Sequence, residues 1–177
     1  EKQLKIRVRT LPIIKNKESA LRLEVKRCKS DAVALEERLE QQIQAYEAMF
    51  ALWNEFDTSL IKVKDVRLGI RKIAGVRVPL LEDVDFEIRP FSLFCSPKWV
   101  ADGLHILKGL ASTAIEREFT VAKLNLLEHA RKKTTQKVNL FEKVQIPGYQ
   151  DALRKIKRFM EDEENLSKSS QKILKSI

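Results

Sequence analysis

The feature that most constrains the fold is a run of 56 residues, 13–68, that contains neither glycine nor proline. Between Leu21 and Leu60, apolar residues recur about every 3.55 residues. That spacing lies between the heptad of a coiled coil and the period of a straight helix, so the sequence predicts one long helix over 13–68. A helix with a single apolar stripe is not stable alone in water, and it must therefore pair with another element.

A second helical pattern covers 98–177, where Ser96 is expected to cap the first turn. From Ala152 to Ile177 the pattern repeats at alternating steps of four and three residues, which is a heptad with two polar positions. The sequence therefore predicts a second helical tract that is able to pair with the first.

Two prolines interrupt these patterns, and each leaves two alternatives open. Pro12 lies in the first turn of a helix capped by Thr10, or it kinks a helix that starts earlier. Pro147, which is followed by a glycine, marks a kink in the C-terminal tract or a boundary between two helices.

The centre of the chain has a different pattern. Residues 76–79 and 84–89 alternate apolar and polar side chains, which is typical of strands, and 80–83 lie between them. The sequence predicts a small β-hairpin from these two segments. Because an isolated hairpin is marginally stable in water, this one is expected to pack on the helices or on a partner.

These segments together predict a mainly α fold. We expect a long antiparallel two-helix coiled coil with a small central β-hairpin and short-helix region at its bend. The predicted parts are 1–68 for the N-terminal long helix, 69–97 for the central region and 98–177 for the C-terminal tract, of which 138–177 pairs with the N-terminal helix.

The charge is unevenly distributed along a chain whose formal net charge is +9. Residues 1–30 hold ten basic and three acidic groups, whereas 31–60 hold one basic and seven acidic groups. A basic end of this kind meets nucleic acid, anionic lipid or an acidic protein surface, or it is simply the solvated face of a helix.

No residue pattern in the chain indicates an active site. His105 and His129 are isolated, and the sequence contains no phosphate-binding glycine loop and no nucleophile motif. Cys28 and Cys95 have no metal-ligand spacing, so two free thiols in a reducing compartment are expected. No apolar stretch is long enough to cross a bilayer. We therefore expect no catalytic residue, no cofactor and no metal.

Three segments resemble the family of D subunits of V-type and A-type ATPases. Residues 134–142, with the sequence TTQKVNLFE, and the following Ile146 and Pro147 resemble that family's C-terminal signature. Residues 73–79 resemble the segment before its central hairpin, and 11–26 its lysine-rich first helix. The pair Leu140-Phe141 is bulkier than the Ala-Leu usual in the family.

The resemblance implies a non-catalytic central rotor shaft that carries torque between ATP chemistry and transport of H+ or Na+. Its partners would be the catalytic and nucleotide-binding subunits (A and B), the small F subunit of the stalk and a funnel-shaped subunit on the membrane ring. The location would be cytoplasmic and peripheral to the membrane. The expected partner-binding residues are the basic side chains of the first helix and the matching motif positions: Lys15, Lys17, Arg22, Lys26, Val76, Val78, Pro79, Asn139, Glu142 and Pro147.

Two other functions remain open on the residues alone. A coiled-coil scaffold without rotation would have the same helices, and it would differ in forming no complex with a nucleotide-binding hexamer. A basic helical protein that binds nucleic acid would lose affinity steeply with salt.

Overall fold

A computed structural model describes residues 1–91 and 97–176, without the side chains of 48, 50, 51 and 174–176. The expected cap Ser96, the second thiol Cys95 and the last heptad residue Ile177 lie outside the described residues. The fold is mainly helical with one antiparallel hairpin, as predicted. Its elements in chain order are α1 (Lys2–Ala45), a 3-10 turn (Glu47–Met49), α2 (Phe50–Trp53), a 3-10 turn (Thr58–Leu60), β1 (Ile61–Ile73), β2 (Val76–Ile88), α3 (Trp99–Asn139), a π-helical segment (Leu140–Gln145) and α4 (Ile146–Ser176).

Helix α1 differs from the predicted long helix at both ends. It begins at Lys2, so Pro12 lies inside a helix that starts earlier, which was the second of the two alternatives. It ends at Ala45, and the predicted continuation to 68 is wrong because 61–68 form part of β1. These residues include three β-branched side chains and pair with β2, so a non-local partner overrides the weak helical spacing.

The hairpin is present, but the predicted pairing of 76–79 with 84–89 is wrong. Residues 76–79 and 84–88 both lie on β2, which pairs with β1 from Ile61↔Ile88 to Ile73↔Val76. The two-residue turn is Ala74 and Gly75, both with positive φ, at 48° and 79°. Such a turn matches the twist of the flanking strands, and glycine adopts the required conformation without strain.

The chain divides into two compact units. Unit 1 comprises Glu1–Ser19 and Lys132–Ile177, and unit 2 comprises Ala20–Arg131. Each unit contains part of α1 and part of the C-terminal helical tract, and each has buried apolar residues of its own.

The described residues of unit 2 form two apolar clusters. The first joins α1, β2 and α3, and its buried members are Leu21, Val25, Cys28, Val78 and Leu127. The second forms around Phe56, Val100 and Leu104, where Trp53 and Trp99 pack edge-on. Residues of the predicted helical stripe, such as Trp53 and Phe56, therefore pack in an aromatic cluster after α1 has ended.

Unit 1 is built around the π-helical segment. Among the described side chains of unit 1, the buried apolar ones are Phe141 on that segment and Ile14 on α1. The N–H of Ile146 donates to the carbonyl of Phe141, five residues back instead of four. Pro147 follows at once, and its ring would clash with the carbonyl four residues earlier in a regular helix. The wider turn avoids that clash, so the interruption at Pro147 takes the form of a π segment between α3 and α4.

In the described part of the chain, we find no helix that is both long and apolar enough to cross a membrane.

Candidate functional site

In unit 2, α1 runs antiparallel to α3. The Lys29 ammonium lies 2.8 Å from a carboxylate oxygen of Glu128. About two turns further along α1, Glu36 accepts a hydrogen bond from Nε of Arg117 at 2.6 Å. The partner number falls as the α1 number rises, which is the order of antiparallel helices. On α1 both pairs lie on the C-terminal side of the cluster that contains Cys28, and they show the antiparallel register of the two helices.

Unit 1 has the same antiparallel order. The Lys15 ammonium donates to Oε1 of Glu142 at 2.6 Å, and the hydroxyl of Thr135 donates to Oε1 of Glu18 at 3.1 Å. The guanidinium carbon of Arg7 lies 4.6 Å from the centre of the buried Phe141 ring. A cation over an aromatic face is attracted by the ring quadrupole, so α1 holds the π segment by charge as well as by apolar contact.

The net charge of the protein resides entirely in unit 1. Unit 1 contains 17 basic and 8 acidic residues, whereas unit 2 contains 17 of each. A surface with this excess attracts acidic partners and raises the rate of their association. The basic α1 residues predicted to bind a partner are divided between the units, with Lys15 and Lys17 in unit 1 and Arg22 and Lys26 in unit 2.

Comparison with known proteins decides the family. A family model described as the D subunit of ATP synthase matches residues 1–176. The chain belongs to the ATP synthase D-subunit family. This membership confirms the resemblance drawn from the sequence and identifies the chain as an ATPase stalk subunit.

Curated relatives in the family carry the same subunit name. The V-type ATP synthase D subunit of Borreliella burgdorferi is 29% identical over 98% of this chain and 87% of its own length. That of Chlamydia pneumoniae is 30% identical over 92% of this chain and 80% of its own. That of Chlamydia trachomatis is 31% identical over 86% and 77%. The similarity therefore covers both units.

The C-terminal motif positions lie around the π segment in unit 1. Asn139 is the last residue of α3, Glu142 pairs with Lys15, and Pro147 is the second residue of α4. All three are exposed. Phe141 is bulkier than the leucine usual in the family at this position, and its side chain is buried.

The hairpin motif positions divide between core and surface of unit 2. Val78 is buried among Leu21, Val25 and Leu127, and Val76 packs against the same cluster. Pro79 is half-buried and lines a cleft of about 410 Å³. Val78 is thus a packing residue in this fold, whereas Val76 and Pro79 are both partly exposed.

Several residues that hold the helices together were not singled out by the sequence. Arg117 and Glu36 lie 81 residues apart, and their ion pair follows from the antiparallel register alone. Arg7 over Phe141 is a similar case. No local sequence pattern predicts such pairs. Aligning the two apolar stripes in antiparallel order would have reduced the number of candidate partners for each residue.

Among residues 1–91 and 97–176, no group of three or more His, Cys, Asp or Glu side chains is arranged to hold a metal ion. His105 and His129 are exposed on α3, and Cys28 is a free, buried thiol.

Among the described residues, local hydrogen bonds shift the pKa of Asp57 and of Arg67, both in unit 2. The backbone N–H of Ser59 donates to the Asp57 carboxylate and lowers the pKa of that group, with a further contribution from the Ser59 hydroxyl. The hydrogen bond from Arg67 to Asp85 raises the pKa of the guanidinium, and the charge of Asp83 adds to this effect. Both pairs are structural: one caps a 3-10 turn, and the other links β1 to β2.

We expect the ion pair between Lys15 and Glu142 to contribute little to stability. Both side chains are nearly half exposed, at 46% and 45%, so water screens their attraction. A double-mutant cycle with Lys15→Met and Glu142→Gln should give a coupling free energy of about 0.5 kcal/mol that falls as salt rises. Urea unfolding of the four proteins measures it. A coupling above about 2 kcal/mol would instead indicate a desolvated pair.

Proposed function

We propose that this chain is the non-catalytic central shaft of a V-type or A-type ATPase. In this role it carries torque between ATP hydrolysis or synthesis in a catalytic hexamer and H+ or Na+ transport in a membrane sector. The observation that carries the proposal is the antiparallel pairing of α1 with the C-terminal helical tract, found in each unit of a chain that belongs to the D-subunit family.

Paired helices suit this role because of their stiffness. Twisting one helix against the other must break ion pairs and apolar contacts together, since the interiors between them are close-packed. In unit 2 such a twist would separate Leu21 from Leu127 and Glu36 from Arg117. In unit 1 it would separate Arg7 from Phe141. Torque applied to one part of the pair is therefore passed on and not lost in local unwinding.

The charge distribution supports a specific mode of contact with the hexamer. Unit 1, with its net charge of +9, contains both ends of the chain. We propose that it enters, together with the basic α1 residues Arg22 and Lys26 of unit 2, an acidic ring formed by the catalytic and nucleotide-binding subunits (A and B). Exposed charge contacts are individually weak, so the shaft moves between equivalent positions over low barriers. Deep apolar interlocking would resist that movement.

The remaining partners are the small F subunit of the stalk and the funnel-shaped subunit that joins the shaft to the membrane ring. Under this proposal the chain is peripheral to the membrane on its cytoplasmic side. It binds neither nucleotide nor nucleic acid and inserts no segment into the bilayer.

The test is charge reversal in a reconstituted complex. One variant changes four basic residues of α1 to glutamate: Lys15, Lys17, Arg22 and Lys26. Because each lost contact is replaced by repulsion, we expect ion-coupled ATPase activity to fall about tenfold, with weaker binding of the shaft to the hexamer. ATP turnover and ATP-driven ion transport in vesicles measure the effect.

Two further variants make the result interpretable. The charge-preserving exchange of lysine and arginine at the same four positions should retain full coupling. The double variant Lys17→Glu and Lys26→Glu spares the Lys15–Glu142 ion pair, so helix pairing in unit 1 is undisturbed. Unchanged turnover and unchanged assembly in both reversed variants would reject the proposed contact.

A further inference from the structure

The hairpin of unit 2 lies with one strand toward the helices and the other toward solvent. From β2, Val78 is buried against α1 and α3, Leu81 lines a cleft with Phe119, and the Phe86 ring lies 5.6 Å from the Lys108 ammonium. The β1 residues that pack against the two apolar clusters stand at its two ends: Ile61 and Ile73. Between them, β1 is covered much less than β2.

Strand β1 therefore has an open edge. Among the described residues the sheet has two strands, so no third strand lies beside β1. An edge strand presents unpaired backbone N–H and C=O groups that are able to pair with another extended chain. Pro79 lies on β2 and lacks a donor, whereas β1 contains no proline over its 13 residues.

The exposed side chains of β1 are either apolar or charged. Ile70 is 75% exposed and Leu68 is 51% exposed. The charged residues of β1 are five basic and one acidic, whereas those of β2 are one basic and four acidic. Arg67 is already paired with Asp83 and Asp85 of β2. The other basic residues of β1 are exposed: Lys62, Lys64, Arg71 and Lys72.

We propose that the outer edge of β1 is a docking site for an acidic, extended segment of a partner protein, which adds to the hairpin as a third strand. Backbone hydrogen bonds along β1 would supply the pairing, and the exposed Leu68 and Ile70 would receive alternate apolar side chains. The basic residues of β1 select for acidic segments. The inference does not depend on the proposed rotor function, because it rests on the hairpin alone.

Lysines on an exposed edge also protect a strand from pairing with other strands. A purely protective role predicts that an acidic strand binds no better than a basic one. The two roles are therefore separated by the charge preference of binding.

The experiment uses the full chain and a short peptide that alternates glutamate and valine. Backbone amide NMR should show saturable shifts with the peptide at millimolar concentration, and slowed hydrogen exchange at every second residue of β1. A peptide that alternates lysine and valine should not bind. An acidic peptide with methyl groups on alternate backbone nitrogens should also fail, because it lacks the donors.

Matched variants locate the effect on the chain. Lys62→Glu, Lys64→Glu and Arg71→Glu together should weaken binding about tenfold. The same charge change on α4, with Lys155→Glu, Lys157→Glu and Arg158→Glu, should leave the affinity unchanged. The proposal is overturned if no saturable binding occurs, if the basic peptide binds equally, or if protection appears outside β1.

Discussion

Replacing Leu127 by alanine is expected to lower the free energy of unfolding of the chain by about 3 kcal/mol. Leu127 is fully buried on α3, where it contacts the cluster formed by Leu21 and Cys28 of α1 and Val78 of β2. Removing its side chain leaves a cavity among three separate elements, and such a site collapses poorly because each element is held in place by its own hydrogen bonds. The cost therefore includes the cavity as well as the lost burial.

Denaturation followed by circular dichroism measures this effect, and the midpoint of thermal unfolding should fall by roughly 10 °C. The neighbouring Leu126 is the matched control, since it is 45% exposed on the same helix. Leu126→Ala should change stability by less than about 0.5 kcal/mol. Equal losses in the two variants would show that the cluster does not stabilise unit 2 in the way described.

Inserting one alanine after Val144 is expected to disrupt the packing of unit 1. The half-buried Thr134 on α3 and the buried Phe141 on the π segment are seven residues apart, which is about two helical turns. The half-buried residue about two turns beyond Phe141 is Tyr149, which comes eight residues later, so this part of the chain contains one extra residue. The π segment contains more residues per turn than an α-helix, so it absorbs the extra residue and keeps Tyr149 and Leu153 in phase with Phe141.

A second extra residue would exceed what one π segment absorbs, and it would rotate α4 by about 100° relative to α3. Tyr149, Leu153 and Ile156, which line a cleft with the first residues of α1, would then turn away from it. The expected cost is about 3 kcal/mol of local packing. Hydrogen exchange should rise in Glu1–Ser19 and in residues 146–156, while unit 2 keeps its protection.

Two controls separate phase from other effects of an insertion. Ser169 lies on an exposed part of α4, so an alanine inserted after it adds a residue without shifting a buried side chain of the described residues. Pro147→Ala keeps the eight-residue step and removes the ring that clashes with a regular helix. If the step dictates the π segment, Pro147→Ala retains the packing of unit 1. Native protection of unit 1 after the insertion at Val144 would contradict this account.

The comparison of sequence and structure shows which kinds of signal were informative. The apolar period correctly predicted a long N-terminal helix, because α1 buries Leu21, Val25 and Cys28 at helical spacing. The same period failed beyond Ala45, where Phe56 and Leu60 keep the spacing but pack in an aromatic cluster. A periodic pattern records which residues are buried, and it does not record where the helix stops.

The hairpin illustrates a second limit. Alternation identified Val76 and Val84 as strand residues, and both lie on β2. Their partner was missed because β1 alternates poorly and carries many basic residues. The register depends on the turn at Ala74 and Gly75 and on pairing over 13 residues, which are properties of two strands together.

The residues of the candidate site also fall into two groups, those that the sequence identified and those whose contacts only the folded chain shows. The motif residues Asn139, Glu142 and Pro147 identified the family from sequence, and the family model confirms it. The contacts of Glu142 with Lys15, and of Arg7 with Phe141, required the folded chain. The partner-binding roles of these residues stay predictions.

By itself, the sequence determined the helical class, the presence of a hairpin, the basic character of the N-terminal end and the family. These follow from local period, composition and short motifs, which are all properties of neighbouring residues. Only the tertiary structure decided that α1 ends at Ala45, that β1 is the open strand and that a π segment resets the phase of α4. Each of these depends on contacts between residues far apart in the chain, whose free energy no local pattern encodes.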